Sequence, residues 1–190
     1  MNSLLVSLRV ALATMLVCVG GYTAVILGVG VLTPDSAQGS LITRPDGTII
    51  GSRLIAQKFD KPHYFWPRPS APDYNASGAA GSNKSPTSAD LTDRAKQTVE
   101  RYGATQDKPL PADLAAASGG GLDPHITAHA ALYQADRVAP ARGVAREAIV
   151  ALIERHTFSP GGPLTPDRLV NVLELNLALD RDFDPTSSSK

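Results

Sequence analysis

The sequence predicts an α+β protein in which one N-terminal transmembrane helix precedes one compact soluble domain of mixed helices and strands. Residues 10–32 are free of charged side chains and mostly apolar. Residues 33–180 then carry strand-like patterns at both ends and amphipathic helical patterns between them. Helices and strands that are segregated along a chain in this way are typical of α+β domains.

The first element is the apolar run at residues 10–32, which follows a short N-terminal segment, residues 1–9. As an α-helix it would be about 34 Å long, enough to cross the hydrocarbon core of a bilayer. A cleaved signal peptide is the alternative, but its apolar region would be shorter, and Ser36-Ala37-Gln38 is a weak cleavage site. We therefore expect a single-pass membrane anchor.

Basic residues flank this anchor unequally. Arg9 directly precedes it, whereas the next basic residue, Arg44, lies twelve residues beyond Leu32. The positive-inside rule then predicts that the N-terminus lies inside and that the domain, residues 33–180, lies outside the cytoplasm.

Small residues recur every four positions within the anchor, at Gly20, Ala24 and Gly28. This spacing aligns them on one helix face, where a second helix can approach closely. Small residues are also common in membrane helices in general. We interpret the face as an interface for a partner helix.

The balance of charge and the single cysteine argue against several kinds of function and of binding site. Lys and Arg number 18, as do Asp and Glu, so the charge does not indicate nucleic-acid binding. Cys18 is the only cysteine and lies within the anchor, which excludes an intrachain disulfide and a metal site built from several cysteines.

The domain begins with a predicted hairpin and a long loop. Residues 41–43 and 48–50 flank Arg44-Pro45-Asp46-Gly47, which is typical of a tight turn between two strands. Residues 61–86 are rich in Pro, Gly, Ser and Asn, yet they include four aromatic residues. Because disordered segments are poor in aromatic residues, we expect an ordered loop packed on the domain.

Three amphipathic helices follow. The first contains Leu91 and Tyr102 and ends before Gly103, the second starts after the capping residue Thr127, and the third spans residues 145–156.

Residues 170–179 alternate between apolar and other side chains with one slip in phase, which we interpret as a strand with a bulge, although a buried helix also fits. Residues 181–190 are predicted to form an acidic and Ser-rich tail. Asp180, Asp182 and Asp184 alternate as early calcium-loop ligands do, but the glycine of such a loop is absent, so we interpret them as a solvated acidic stretch.

Common catalytic signatures are absent from the sequence. It contains no Gly-x-x-x-x-Gly-Lys-Ser/Thr, His-Glu-x-x-His or Gly-x-Ser-x-Gly motif. His125 and His129 are four residues apart, but the cap at Thr127 places His125 before the helix, which favours polar loop contacts over a metal site. We therefore predict no catalytic residue and no metal site.

A glycine run, Ser118-Gly119-Gly120-Gly121-Leu122-Asp123, is the strongest local signal for a ligand. Consecutive glycines allow backbone N–H groups to turn toward an anion. No lysine or arginine lies in the run, however, and a tight structural turn explains the glycines equally well.

Several segments in order behind one membrane helix carry a resemblance to a known family. They are residues 51–59 (GSRLIAQKF), 64–71 (YFWPRPSA), 74–75 with 81–83 and 86–87, 117–126 (ASGGGLDPHI), 133–134 with 137–139, and 170–180 (VNVLELNLALD). Together they resemble the C subunits of the bacterial Kdp-type potassium-transporting ATPases, over nearly the whole chain.

The resemblance implies a non-catalytic accessory subunit in the bacterial cytoplasmic (inner) membrane. Its partners would be a potassium-channel-like subunit and a P-type ATPase subunit, and it would stabilise the pump and raise the ATP affinity of the ATPase subunit. The chain agrees in lacking the Asp-Lys-Thr-Gly phosphorylation motif. The resemblance also implies ATP contact, either through the catalytic subunit alone or at a candidate set in this chain: Ser118, Gly119, Gly120, Gly121, Asp123 and Gln134.

The predicted orientation favours a different role, because a domain outside the cell cannot meet cytoplasmic ATP. The domain could instead cap the ion entrance of the channel-like subunit without nucleotide contact. The candidate docking residues are Tyr64, Phe65, Trp66 and Arg68, for which ordinary loop packing is equally open. Two further classes fit less well: a membrane-tethered hydrolase, because Ser118 lacks a nucleophile-elbow motif, and a solute-binding domain on an anchor.

Overall fold

The computed structural model describes residues 2–164 and 167–183, and all of their side chains except those of Asn2 and Pro163. The chain divides into two compact units, Met1–Ile50 and Gly51–Lys190. The fold is mixed helix and sheet, as the sequence predicts.

The first unit contains a long apolar helix over Ser3–Leu32, which is long and apolar enough to cross a membrane. It consists of α1 (Asn2–Met15), a π-helical segment (Leu16–Gly21) and α2 (Tyr22–Leu32). The helix extends beyond the predicted start at residue 10 because the residues before Arg9 are also mostly apolar. It ends at Thr33, whose backbone is not helical and which precedes Pro34, the first residue of the short α3 (Pro34–Ala37).

The predicted hairpin is confirmed by β1 (Leu41–Thr43) and β2 (Ile49–Ser52), which form a two-stranded sheet. The Arg44 N–H donates to the Thr48 carbonyl over 2.9 Å, closing the turn between the two strands.

The second unit packs helices against a small sheet. Its helices and strands are α4 (Ala89–Tyr102), α5 (Ala112–Ala115), β3 (His125–Thr127), α6 (Ala128–Arg142), α7 (Arg146–Arg155), β4 (Thr157–Phe158), β5 (Leu169–Asn171) and α8 (Val172–Asp182). Two 3₁₀ turns lie at Ala76–Gly78 and Gly162–Leu164. The sheet is antiparallel in the order β3-β5-β4, with His125 opposite Asn171 and Thr157 opposite Val170.

The core lies between this sheet and the helices α6, α7 and α8. Three alanines on α6, Ala130, Ala131 and Ala135, are fully buried, and such small side chains permit close packing of neighbouring elements. The largest apolar side chains of the core, all less than 2 % exposed, are Phe65, Leu114, Ile126, Ile149, Leu152, Ile153, Leu175 and Leu179.

The three predicted amphipathic helices are confirmed as α4, α6 and α7. Gly103 ends α4 in the left-handed conformation with φ +60°. The Thr127 hydroxyl caps α6 by accepting from the Ala130 N–H over 3.0 Å.

The strand predicted over residues 170–179 is wrong beyond Asn171, because α8 begins at Val172. The Asn171 side chain caps this helix by accepting from the Glu174 N–H over 3.2 Å. Most of the helix is buried, so apolar residues occur on several of its faces and imitate the alternation of a strand. Asp180 and Asp182, interpreted from sequence as part of a solvated acidic stretch, also lie in α8, whereas residues 184–190 of the predicted tail lie outside the described residues.

Candidate functional site

The aromatic segment, residues 64–68, is held by two amide side chains of the helices beneath it. Asn176 of α8 accepts from the Phe65 N–H over 2.8 Å and donates to the Phe65 carbonyl over 2.9 Å. Gln134 of α6 accepts from the Trp66 N–H over 2.8 Å and donates to the Trp66 carbonyl over 3.0 Å. Each amide therefore pairs with both backbone groups of one residue, as a neighbouring strand would.

These amides are buried together with the segment that they bind. Gln134 and Asn176 are each 1 % exposed, Phe65 is 0 % exposed and Trp66 is 7 % exposed. Burial without hydrogen bonds would be costly for the amides and for the segment's backbone. The predicted packing of the loop on the domain is thus confirmed at residues 65 and 66, where side chains make the hydrogen bonds that a neighbouring strand would otherwise make.

Arg137 of α6 reinforces the same contact. Its guanidinium donates to the Tyr64 carbonyl over 3.0 Å and to the Gln134 amide oxygen over 2.7 Å. It also lies over the Trp66 ring at 3.6 Å from the ring centroid, and Arg101 lies 4.0 Å from the same centroid. Burial, with a smaller contribution from Arg101, lowers the pKa of Arg137 to about 10.

Arg142, whose side chain is 0 % exposed, joins the loop to the end of α8. It donates to the His63 carbonyl over 2.9 Å and to the Asp180 carboxylate over 2.7 Å. Tyr64 donates its hydroxyl to the same carboxylate over 2.9 Å. Asp180 therefore accepts structural hydrogen bonds, although its side chain remains 43 % exposed.

The four candidate docking residues are consequently engaged within their own domain. Phe65 and Trp66 are buried, and Tyr64 is half-buried. Arg68 is also half-buried and binds the Asp123 carboxylate over 3.3 Å. Only Tyr64 and Arg68 keep an appreciable part of their side chains at the surface, and the docking role of the four residues stays a prediction.

The glycine run packs against the Pro-rich loop. Ser118 is 4 % exposed, its N–H donates to the Pro69 carbonyl over 2.9 Å, and its hydroxyl accepts from the Asp123 N–H over 3.2 Å. Gly121 has φ +75°, and a Cβ there would lie 2.4 Å from Pro72 Cδ. Gly119 and Gly120 are exposed, and a Cβ at either would meet nothing within 4 Å.

Asp123 closes this loop. Its carboxylate accepts from the His125 N–H over 3.0 Å and lies 3.2 Å from the His125 ring nitrogen Nδ1. The His125 side chain, more than any other group, holds the pKa of Asp123 below its usual range.

His125 lies in β3, as expected before the helix, and His129 is exposed on α6. Among residues 2–164 and 167–183, no cluster of three metal-ligating side chains occurs.

Within the candidate nucleotide set, the side chains of Gln134 and Ser118 are already bonded inside the domain, whereas Gly119 and Gly120 are exposed. Both Gln134 amide atoms bind Trp66, and the Ser118 hydroxyl is buried and bonded to Asp123. The set therefore fits a nucleotide poorly as it stands in this fold. Its role in ATP binding stays a prediction.

The small-residue face lies in the first unit. Gly20 belongs to the π-helical segment, whereas Ala24 and Gly28 belong to α2, and all three are exposed. A Cβ at Gly28 would meet nothing within 4 Å, so this position is open to another helix.

Sequence reasoning missed Asn176, Arg137 and Arg142 as residues that fix the aromatic segment. The available signal was a polar residue at a helix position that faces the core. Asn176 is such a residue, because the nearby Leu175 and Ala178 are both buried. That pattern identifies a buried polar group but does not identify its partner, which lies 111 residues away.

Comparison with known proteins adds an independent result. The family model described as "K+-transporting ATPase, c chain" matches residues 4–181. A protein of Parvibaculum lavamentivorans described as "Potassium-transporting ATPase KdpC subunit" is 64 % identical over 182 residues, covering 95 % of this chain and 97 % of that protein. Proteins with the same description from Cereibacter sphaeroides and Paraburkholderia phytofirmans are 46 % and 45 % identical, each covering 84 % of this chain and 86 % of its relative.

Proposed function

This chain belongs to the KdpC family of potassium-transporting ATPase subunits, and on that premise we propose that it stabilises the assembled pump and raises the ATP affinity of the catalytic subunit. It is an accessory subunit of the complex and not itself the catalytic subunit. Its proposed partners are the potassium-channel-like subunit and the P-type ATPase subunit. The observation that carries the proposal is a family match over residues 4–181, which includes both the apolar helix and the domain.

The effect on ATP is proposed to act through assembly, with ATP bound by the catalytic subunit. Two features support this version. The amide of Gln134 is saturated by the Trp66 backbone, and Ser118 is buried beneath the Pro-rich loop. A nucleotide would have to break these contacts before it could use either side chain.

The test compares complexes purified with and without this chain, all other subunits being co-expressed. We expect lower recovery of the complex and a higher KM for ATP in its absence, with both values restored by adding the chain back. Unchanged recovery and KM would contradict the proposal. A photoreactive ATP analogue should label the catalytic subunit, and labelling of residues 118–134 of this chain would contradict action through assembly alone.

A second candidate function, supported by the position of Arg9, places the domain outside the cytoplasm, where it would cap the ion entrance of the channel-like subunit. No lysine or arginine lies between Arg9 and Arg44, so the basic charge nearest the helix lies at its N-terminal end. Single cysteines at Ser3 and Gln97 in a Cys18→Ser background test the orientation with a membrane-impermeant thiol reagent on intact cells. We expect labelling at position 97 and protection at position 3, and the reverse pattern would contradict the capping role.

A further inference from the structure

The strongest unexplained feature of the second unit is a group of cationic and aromatic residues around Trp66. We call it the cationic aromatic patch, and it consists of Trp66, Arg101, Tyr102, Lys108, Tyr133 and Arg137. Both Arg101 and Arg137 stack on the Trp66 ring. Tyr102 contacts Trp66 and Tyr133 edge to face, with ring centroids 5.2 Å and 6.3 Å away.

The patch carries more positive charge than its own carboxylates neutralise. Neither Arg101 nor Arg137 forms an ion pair within the part of the chain that the structure describes. Two carboxylates lie nearby: Asp136, which is already shared by Lys108 and Arg146, and Asp113, which lies near Tyr102. Two guanidinium groups against one indole ring repel each other, and Arg101 contributes to the lowered pKa of Arg137. An added anion would relieve this repulsion.

A small cavity opens beside the patch, and several of the residues that line it carry hydrogen-bond donors. Its volume is about 170 Å³, and it is lined by Tyr102, Lys108, Tyr133, Gln134, Asp136 and Arg137. The Tyr102 hydroxyl makes no hydrogen bond to any described residue, and burial raises its pKa, so it remains a hydrogen-bond donor. Lys108 is about half exposed, and an ammonium group has three protons to donate.

We propose that this patch binds a carboxylate side chain, an Asp or Glu, presented by another subunit of the potassium-transporting complex. The proposal rests on the proposed function, because it requires that this chain assemble with partners. The Lys108 ammonium and the Tyr102 hydroxyl donate to the carboxylate, and Arg101 supplies the nearby exposed charge.

The size of the cavity and the residue composition of the patch both favour a protein side chain over a small molecule as the ligand. The cavity is smaller than typical small-molecule pockets, which measure about 300–1,000 Å³. Trp, Tyr and Arg are the residues that contribute most to binding at protein interfaces. Positive charge around such a pocket also favours approach of an acidic segment and selects against a basic one.

Carbodiimide cross-linking tests the contact directly, because it joins an amine to a carboxylate without a spacer. The experiment uses the purified complex and the isolated full-length chain in detergent, with mass spectrometry of the products. In the isolated chain, we expect Lys108 to be joined to Asp136. In the complex, we expect an additional product that joins Lys108 to an Asp or Glu of another subunit.

Two controls make this result specific. Lys108→Arg keeps the charge but removes the amine, so the product between subunits should disappear while the complex remains assembled. Lys96 lies on α4 and pairs with Asp93, and it should give products within this chain only. A complex that contains this chain, but in which Lys108 reacts only within the chain, would overturn the proposal.

A charge reversal provides the energetic test. Arg101→Glu should weaken co-purification of this chain with the other subunits about tenfold, most strongly at low ionic strength. Lys96→Glu, on the same helix and also exposed, should have no such effect, and the isolated chain should remain folded in both variants. Wild-type assembly by Arg101→Glu at every salt concentration would reject the site, whereas failure of the unmodified chain to assemble would reject the proposed function itself.

Discussion

At the scale of single residues, Gln134 and Asn176 occupy helix positions that face the core, and both bind backbone rather than pack against apolar neighbours. No strand of the described residues pairs with the aromatic segment, so its N–H and carbonyl groups need these side chains. An apolar side chain of similar size could fill the volume but could not satisfy those groups.

We predict that Gln134→Leu lowers the free energy of unfolding by about 3 kcal/mol, because it leaves the Trp66 N–H and carbonyl buried without partners. Urea unfolding of the full chain in detergent measures the change. Gln97→Leu, an exposed glutamine on α4, should shift the midpoint little. If both substitutions had the same small effect, the amide would not be what holds the segment.

His63 is the residue from which we expect a dependence on pH. Burial is the main cause that lowers its pKa below the ordinary value of 6.5, followed by the charges of Arg142 and Lys61, whereas Asp180 acts in the opposite direction. The unfolded chain then binds the proton more readily than the folded chain. Stability should therefore fall as the pH drops from about 7 toward 5.

His63→Gln should reduce this fall in stability, while the bond from Arg142 to the backbone carbonyl of residue 63 is retained. The comparison is of urea midpoints at the two pH values for the wild type, His63→Gln and His129→Gln, the last being an exposed histidine on α6. The fall should remain in His129→Gln. A wild-type fall that persists undiminished in His63→Gln would show that another group is responsible.

At the scale of elements, the glycine run allows a prediction that separates structural packing from an anion-binding loop. Gly121 has a left-handed backbone, and a Cβ there would lie 2.8 Å from the Ala80 carbonyl oxygen and 2.4 Å from Pro72 Cδ. Gly120, its neighbour, is open to solvent. We expect Gly121→Ala to cost about 2–4 kcal/mol of unfolding free energy and Gly120→Ala to cost little.

Thermal unfolding of the two variants checks this difference. If Gly120→Ala leaves the fold and the recovery of the complex intact but raises the KM for ATP, contact between nucleotide and the exposed part of the run would be favoured over action through assembly alone. Equal thermal stability of both variants would contradict the packing that places Gly121 against Pro72.

The elements that sequence predicted correctly are those that carry a local signal. Gly103 ends α4 and Thr127 caps the start of α6, and each effect depends only on groups within one turn of the helix. The segment that forms α8 was wrongly predicted as a strand. Its burial depends on elements distant in sequence, and the apolar residues of a helix that is buried on several faces no longer recur with a clear period of 3.6 residues. Asn171 was the overlooked local signal, since an Asn before Glu174 is a favourable helix cap.

At the scale of the whole molecule, the sequence predicted a membrane anchor and a soluble domain, and it resembled a known family. It did not predict which contacts the candidate residues make. The motif residues Phe65, Trp66 and Gln134 were found from the sequence, yet they contact one another rather than a free surface. Contacts between residues 68 positions apart cannot be derived from spacing. The cationic aromatic patch likewise exists only after the loop, α4 and α6 come together.

The anchor gives the last prediction, which concerns assembly rather than folding. A Cβ at Gly28 would meet nothing within 4 Å, so Gly28→Leu should leave the unfolding midpoint of the isolated chain unchanged. If a partner helix packs on Gly20, Ala24 and Gly28, the added side chain holds that helix away and should weaken assembly about tenfold. Val25→Leu, an exposed apolar position outside this face, is the matched control. Recovery of this chain with the purified complex measures the effect, and equal recovery of both variants would place the partner on another face of the helix.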